Sequence, residues 1–127
     1  MKAGKVWGST ELLLKTPFVE LHRIFVKAYG FCSTHSHKHK WNLFYVISGE
    51  LDIHVYKNDY NLVDTTHLIE GEWTTVKPNE FHSFKALTDV EGLELYYPEP
   101  LSEDIIRKSV GGLENFVEKK LITELDN

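Results

Sequence analysis

The sequence predicts an all-β fold, an antiparallel barrel or sandwich of short strands, and three observations carry that prediction. Short runs rich in Val, Ile, Leu, Phe, Tyr and Thr recur along most of the chain, turn chemistry falls between them, and one run alternates apolar and polar residues with the period of a strand. With 127 residues, 42% of them hydrophobic and 13% aromatic, the chain suffices for one domain with its own core and leaves no room for a second.

In order, the runs are Glu11 to Leu14, Val19 to Val26, Leu43 to Ile47, Leu51 to Tyr56, Trp73 to Val76, Phe81 to Ala86 and Leu93 to Tyr97. Between them Tyr29-Gly30, Ser48-Gly49, Lys57-Asn58-Asp59, Glu70-Gly71, Lys77-Pro78-Asn79 and the stretch from Asp89 to Gly92 supply the Gly, Pro, Asn and Asp that turns favour. In the alternating run Leu51, Ile53 and Val55 share one face, expected to line the core, while Asp52, His54 and Tyr56 share the other. The character changes after Pro98-Glu99-Pro100. Ser102 with Glu103 and Asp104 has the form of a helix start, and Leu113, Phe116, Val117, Leu121 and Leu125 recur at mixed three and four spacing. A barrel over about 6–98 and short C-terminal helices over about 101–126 are the expected layout.

Composition narrows the function. The net charge is −5 and Lys and Arg are scattered, which argues against a nucleic-acid partner. No apolar run approaches the roughly 20 residues of a membrane helix, so no membrane partner is expected. The single cysteine, Cys32, cannot form an internal bridge, and the polar, basic start of the chain does not read as a signal peptide, so a cytoplasmic location is expected. The expected partners are a small-molecule ligand and a second copy of the chain, because barrels of this kind associate through exposed sheet edges.

Three of the seven histidines crowd into Thr34-His35-Ser36-His37-Lys38-His39-Lys40, just before a predicted strand. In an extended segment residues two apart point the same way, so His35, His37 and His39 would project together, and imidazoles so placed suit borderline metals. Standing alone, an alternating His and Lys tract reads more often as a solvated loop than as a ligand set.

The flanks carry a family resemblance. Gly30-x4-His35-x-His37-x4-Asn42-x6-Gly49 resembles the first cupin motif, and Gly71-x6-Pro78-x3-His82 is similar to the second, whose proline turn delivers one more histidine. The resemblance implies a cupin fold, a double-stranded β-helix or jelly-roll barrel, with His35, His37 and His82 as metal ligands and Asn42 where the motif has glutamate. Towards the ends, Val6-Trp7-Gly8-Ser9, Glu11-Leu12-Leu13 and Pro100-Leu101-Ser102-Glu103-Asp104-Ile105-Ile106-Arg107 look like the edges of type II mannose-6-phosphate isomerase domains. That likeness implies a sugar or sugar phosphate as ligand and isomerase-like chemistry.

Three neutral imidazoles suit Zn or Fe, with Mn or Ni as further fits, and leave open positions for water or substrate; Asn42 would add a weak amide oxygen. For proton transfer the nearby candidates are His39, His54 and Glu80, and for the pocket wall Trp41, Phe44 and Phe84. His22 and His67 read as structural. A three-histidine Fe(II) dioxygenase and a non-catalytic ligand-binding module are the alternatives to an isomerase-like enzyme.

Overall fold

The computed structural model describes residues 2–57, 62–98 and 108–114. Among them are nine strands: β1 (Lys2–Lys5), β2 (Gly8–Lys15), β3 (Glu20–Val26), β4 (Trp41–Ser48), β5 (Leu51–Lys57), β6 (Leu62–Leu68), β7 (Trp73–Val76), β8 (Phe81–Ala86) and β9 (Val90–Tyr97). They form a six-stranded sheet in the order β1-β2-β3-β9-β4-β7 and a three-stranded sheet in the order β6-β5-β8. Every pairing is antiparallel. One core joins the sheets, with Ile24, Val26, Phe44, Val46 and Val90 from the first and Leu51, Ile53, Phe84 and Ala86 from the second. Side chains such as Ile24, Phe44, Leu51 and Ile53 are almost completely withdrawn from water. Each contributes about 1.5–3 kcal/mol by that burial.

Six of the seven predicted runs lie within strands, and the seventh, Val19 to Val26, does so from Glu20 onward. In β5, Leu51 and Ile53 are buried and Val55 packs against the core, as the alternation requires. Two strands were not expected. β1 is exposed at every position and β6 is exposed except at Leu68, so neither has the buried face that writes an apolar period into a sequence. Gly92 is a correction of another kind: it is no turn residue but lies in β9, between Ile24 on β3 and Val46 on β4. A Cβ there would come within 2.8 Å of the Tyr45 carbonyl oxygen, so glycine serves close packing of strands. Gly49, in the tight β4–β5 connection, has φ +93, which only glycine adopts readily. The expected C-terminal helices lie outside the described residues, apart from 108–114, which carry no helix.

The inward rows explain where a site can form. From one end of the barrel to the other, β3 presents Val26, Ile24, His22 and Glu20, and β9 presents Val90, Gly92, Glu94 and Tyr96. β4 presents Val46, Phe44 and Asn42, and β8 presents Ala86, Phe84 and His82. Each row turns from apolar to polar toward the same end. Register makes that end one cluster: His22 pairs with Glu94, Glu20 with Tyr96, and Tyr96 with Asn42.

Candidate functional site

Backbone pairing brings the histidines together. The segment after Gly30 runs antiparallel to β8, with bridges between Phe31 and Lys85 and between His35 and His82. The His35 N–H donates to the His82 carbonyl (3.0 Å) and the His82 N–H to the His35 carbonyl (2.8 Å), so the two imidazoles stand side by side, ring centres 4.7 Å apart. The loop before β8 completes the arrangement. Pro78 and Asn79, the latter at φ +69, occupy the central positions of a Lys77–Glu80 turn of the type that needs a left-handed third residue. The Asn79 N–H then donates to the His37 carbonyl at 2.7 Å, locking the turn that delivers His82 to the loop that carries His37.

One ring nitrogen from each of His35, His37 and His82 lies within 4.8 Å of the others. The His35 Nδ1–H donates to the Ser33 carbonyl at 2.8 Å, and the His82 Nδ1–H to the Glu80 carbonyl at 3.0 Å. Carbonyls accept only, so both rings carry a proton on Nδ1, which leaves Nε2 as the nitrogen that can serve as a ligand in the neutral ring. His37 Nε2 is buried without a partner. Burial, with the charges of His35 and His82 behind it, pushes the His37 pKa down to about 4, and burial lowers that of His82 as well. Neutral, unpartnered imidazoles are what a divalent metal requires. His82 Nε2 also lies 3.2 Å from Asn42 Oδ1, two acceptors facing one another in a buried place, which a cation between them would satisfy. The donor set therefore fits a borderline divalent ion, held by the three histidines with Asn42 beside them.

His35 and His37 line a pocket of about 380 Å³, and His82 and Asn42, each 1% exposed, lie buried behind them. Across the pocket stands a wall of groups that the sequence alone did not mark. His22 Nε2–H donates to Glu20 Oε2 at 2.7 Å, its Nδ1 lies 3.4 Å from the Thr10 hydroxyl, and that hydrogen bond from His22 lowers the Glu20 pKa. Glu94 accepts a 2.9 Å hydrogen bond from the Tyr96 hydroxyl. It is half-buried and lines the pocket, and desolvation raises its pKa. Burial, then Glu94, raises that of Tyr96. Lys5 and Lys40 also line the pocket, Lys40 with its ammonium over the Tyr96 ring. Cys32 faces the same space, but burial pushes its thiol up to about 11, where it stays protonated and unreactive. A larger cavity of about 550 Å³ lies at the apolar end, beside Phe25, Val26 and Val90, with no cluster of ligating side chains.

Several expected site residues are placed elsewhere. His39 is exposed beside Lys15 to Glu20 on the outer surface, because a bend at Lys38 and His39 breaks the two-residue alternation after His37. His54 lies on the outward face of β5 and bonds Thr65. The Glu80 carboxylate is occupied by the Lys77 N–H and by the Lys57 ammonium, and only its carbonyl serves the site, by orienting His82. Trp41, one residue out of phase with Asn42, stacks outside on Tyr97, ring centres 6.3 Å apart. Phe44 is core, its ring 6.2 Å from that of His82, whereas Phe84 does line the pocket, edge to face with Trp7. His22, expected to be structural, is a pocket residue, while His67 lies on the outer surface between Asp52 and Glu50. The missed signal was a polar residue at an inward strand position: Glu20 and His22 in one apolar run, Glu94 in another.

Among solved structures the chain is similar to KdgF from Halomonas sp., at 15% identity and TM-score 0.65 over 76% of this chain and 83% of that one. It is similar to the Cnp3 cupin domain of Schizosaccharomyces pombe, at 14% identity and TM-score 0.64 over 75% and 67%. It also matches Bacillus subtilis oxalate decarboxylase, a protein with Mn(II) centres, at 16% identity and TM-score 0.68 over 80% of this chain but only 28% of that one. No protein-family model matches the sequence, and no curated protein does. The likeness establishes the fold: this is an all-β protein with the cupin fold, whose barrel holds three histidines able to bind a metal.

Proposed function

We propose that this protein is a metal-dependent enzyme of the cupin type that binds and converts a small polar metabolite, with a sugar or sugar phosphate favoured and isomerase-like proton transfer as the chemistry. The observation that carries this reading is the placing of three free imidazole nitrogens within 4.8 Å, beneath a pocket whose opposite wall holds acid–base groups. His35, His37 and His82 would hold a divalent ion, Zn or Fe before Mn or Ni, which would supply a Lewis acid for a substrate oxygen. The chain's own residues do the rest. Glu20 holds His22 in one orientation with its proton on Nε2, leaving Nδ1 to take a proton from a substrate carbon. Glu94, held by the Tyr96 hydroxyl two positions along β9, adds a polar group to the same wall. Lys5 and Lys40 at the mouth suit an anionic group such as a phosphate or carboxylate.

The edges of the six-stranded sheet are β1 and β7, and a homodimer through the exposed β1 is part of the same proposal. The metal is tested by elemental analysis of protein purified without a histidine tag. Near one equivalent after reloading with Zn or Fe supports it, and less than a tenth overturns it. Isomerisation is tested by incubating the loaded protein with a panel of aldose phosphates in D₂O, expecting deuterium at C2. The absence of a carboxylate among the three ligands favours a second reading, a three-histidine Fe(II) dioxygenase, which Fe(II)-dependent oxygen uptake without C2 exchange would establish instead.

A further inference from the structure

Imidazole and amide bind a metal as neutral ligands, so a divalent ion on the three histidines and Asn42 has no countercharge within that set. Glu94 is the reverse case. It lies inside the barrel, on β9 between His22 of β3 and Phe44 of β4, and it lines the pocket together with His35 and His37. No lysine or arginine among the described residues forms an ion pair with it. Its hydrogen bond comes from the Tyr96 hydroxyl at 2.9 Å, a neutral donor. Confined carboxylates are costly unless a cation compensates them.

Asn42 stands between the two. Its Oδ1 faces His82 Nε2 at 3.2 Å, its Nδ2 is buried with no hydrogen-bond partner among the described residues, and the β4–β9 register sets Asn42 opposite Tyr96, two positions along from the Phe44–Glu94 pair on the same inward face. An amide with its oxygen turned to one side and its N–H groups to the other can pass negative charge from a carboxylate to a cation by polarisation.

We propose that Glu94 is the countercharge of the metal centre, a positioning residue that acts through Asn42 by drawing its Nδ2 and so holding and polarising Oδ1 toward the ion. The carboxylate stands behind the amide instead of on the metal. This role rests on the metal reading above, and it gives the inward Glu94 and the orphaned Asn42 amide one common explanation.

The test titrates chelator-stripped protein with Zn²⁺, read by calorimetry against a competing chelator, with circular dichroism of each metal-free variant as the check on folding. Glu94→Gln, which keeps shape and removes charge, is expected to weaken Zn²⁺ binding about 10–100-fold. Asn42→Glu combined with Glu94→Gln restores a carboxylate at the site and is expected to recover most of that loss. Should Glu94→Gln fail to fold, Glu94→Asp, which draws the charge back by one methylene, is expected to weaken binding severalfold. Affinity within twofold of the parent in the folded Glu94 variant, or no recovery in the double variant, overturns the proposal while leaving the metal centre standing. A parent protein that takes up no Zn²⁺ overturns both.

Discussion

The histidine environment makes a quantitative prediction about protons. An imidazole of ordinary pKa, about 6.5, is roughly nine-tenths protonated at pH 5.5, so three of them would surrender close to three protons to an entering Zn²⁺. His37, with its pKa pushed down to about 4, carries almost no proton at that pH, and His82 is lowered as well. Zn²⁺ binding at pH 5.5 should therefore release no more than two protons. Between pH 7.5 and 5.5 His37 should contribute nothing to the loss of affinity, where an ordinary imidazole would contribute about tenfold. The sign follows for the metal-free fold too. His37 binds fewer protons folded than unfolded between about 4 and 6.5, so its contribution to stability is complete above that window and is lost as the pH falls through it. Calorimetry in two buffers of different ionisation enthalpy counts the protons directly. Release of nearly three per ion at pH 5.5, or log affinity rising with pH at a slope of three, would refute the desolvated imidazole cluster.

Two further outcomes are expected. Gly49→Ala should destabilise by more than about 3 kcal/mol, because its left-handed φ is disfavoured for alanine and its Cβ would lie 2.2 Å from the Asp89 carbonyl oxygen. Gly71→Ala, with φ +83 but open space around it, should cost only about 1–2 kcal/mol, and equal losses in thermal melts would contradict the close approach at Gly49. On the outer face, Asp52 first and then Glu50 raise the His67 pKa, so the stabilisation is present below the unfolded value near 6.5 and lost as pH climbs through the folded one. Proton NMR should show His67 titrating above an ordinary histidine, and Asp52→Asn should bring it back. An unchanged midpoint in that variant would remove the pair.

The strands that carry the core were legible because burial on one face imposes a two-residue period, as in Leu51, Ile53 and Val55, and because turns demand particular residues, as at Ser48-Gly49. β1 and β6 were not, since an exposed strand is held by its neighbour's backbone and leaves the sequence free. The three histidines were legible as one set through the resemblance of the segments around Gly30, Asn42, Gly49, Gly71 and Pro78 to the two cupin motifs. His39 and Trp41 misled for a reason the sequence hides, a bend at Lys38 and His39 that breaks the phase between loop and strand.

Sequence by itself thus determined the strand menu and the turn residues, which follow from local periodicity and short spacings, and, through its resemblance to the cupin motifs, the residues of the three-histidine cluster. Tertiary structure alone decided which polar residues face inward together. Glu20, His22, Glu94 and Tyr96 stand far apart from the histidines in the chain, and only the register of β3, β9 and β4 sets them around one pocket. That register is fixed by long-range hydrogen bonds and by packing between two sheets, and neither leaves a mark within a short window of sequence.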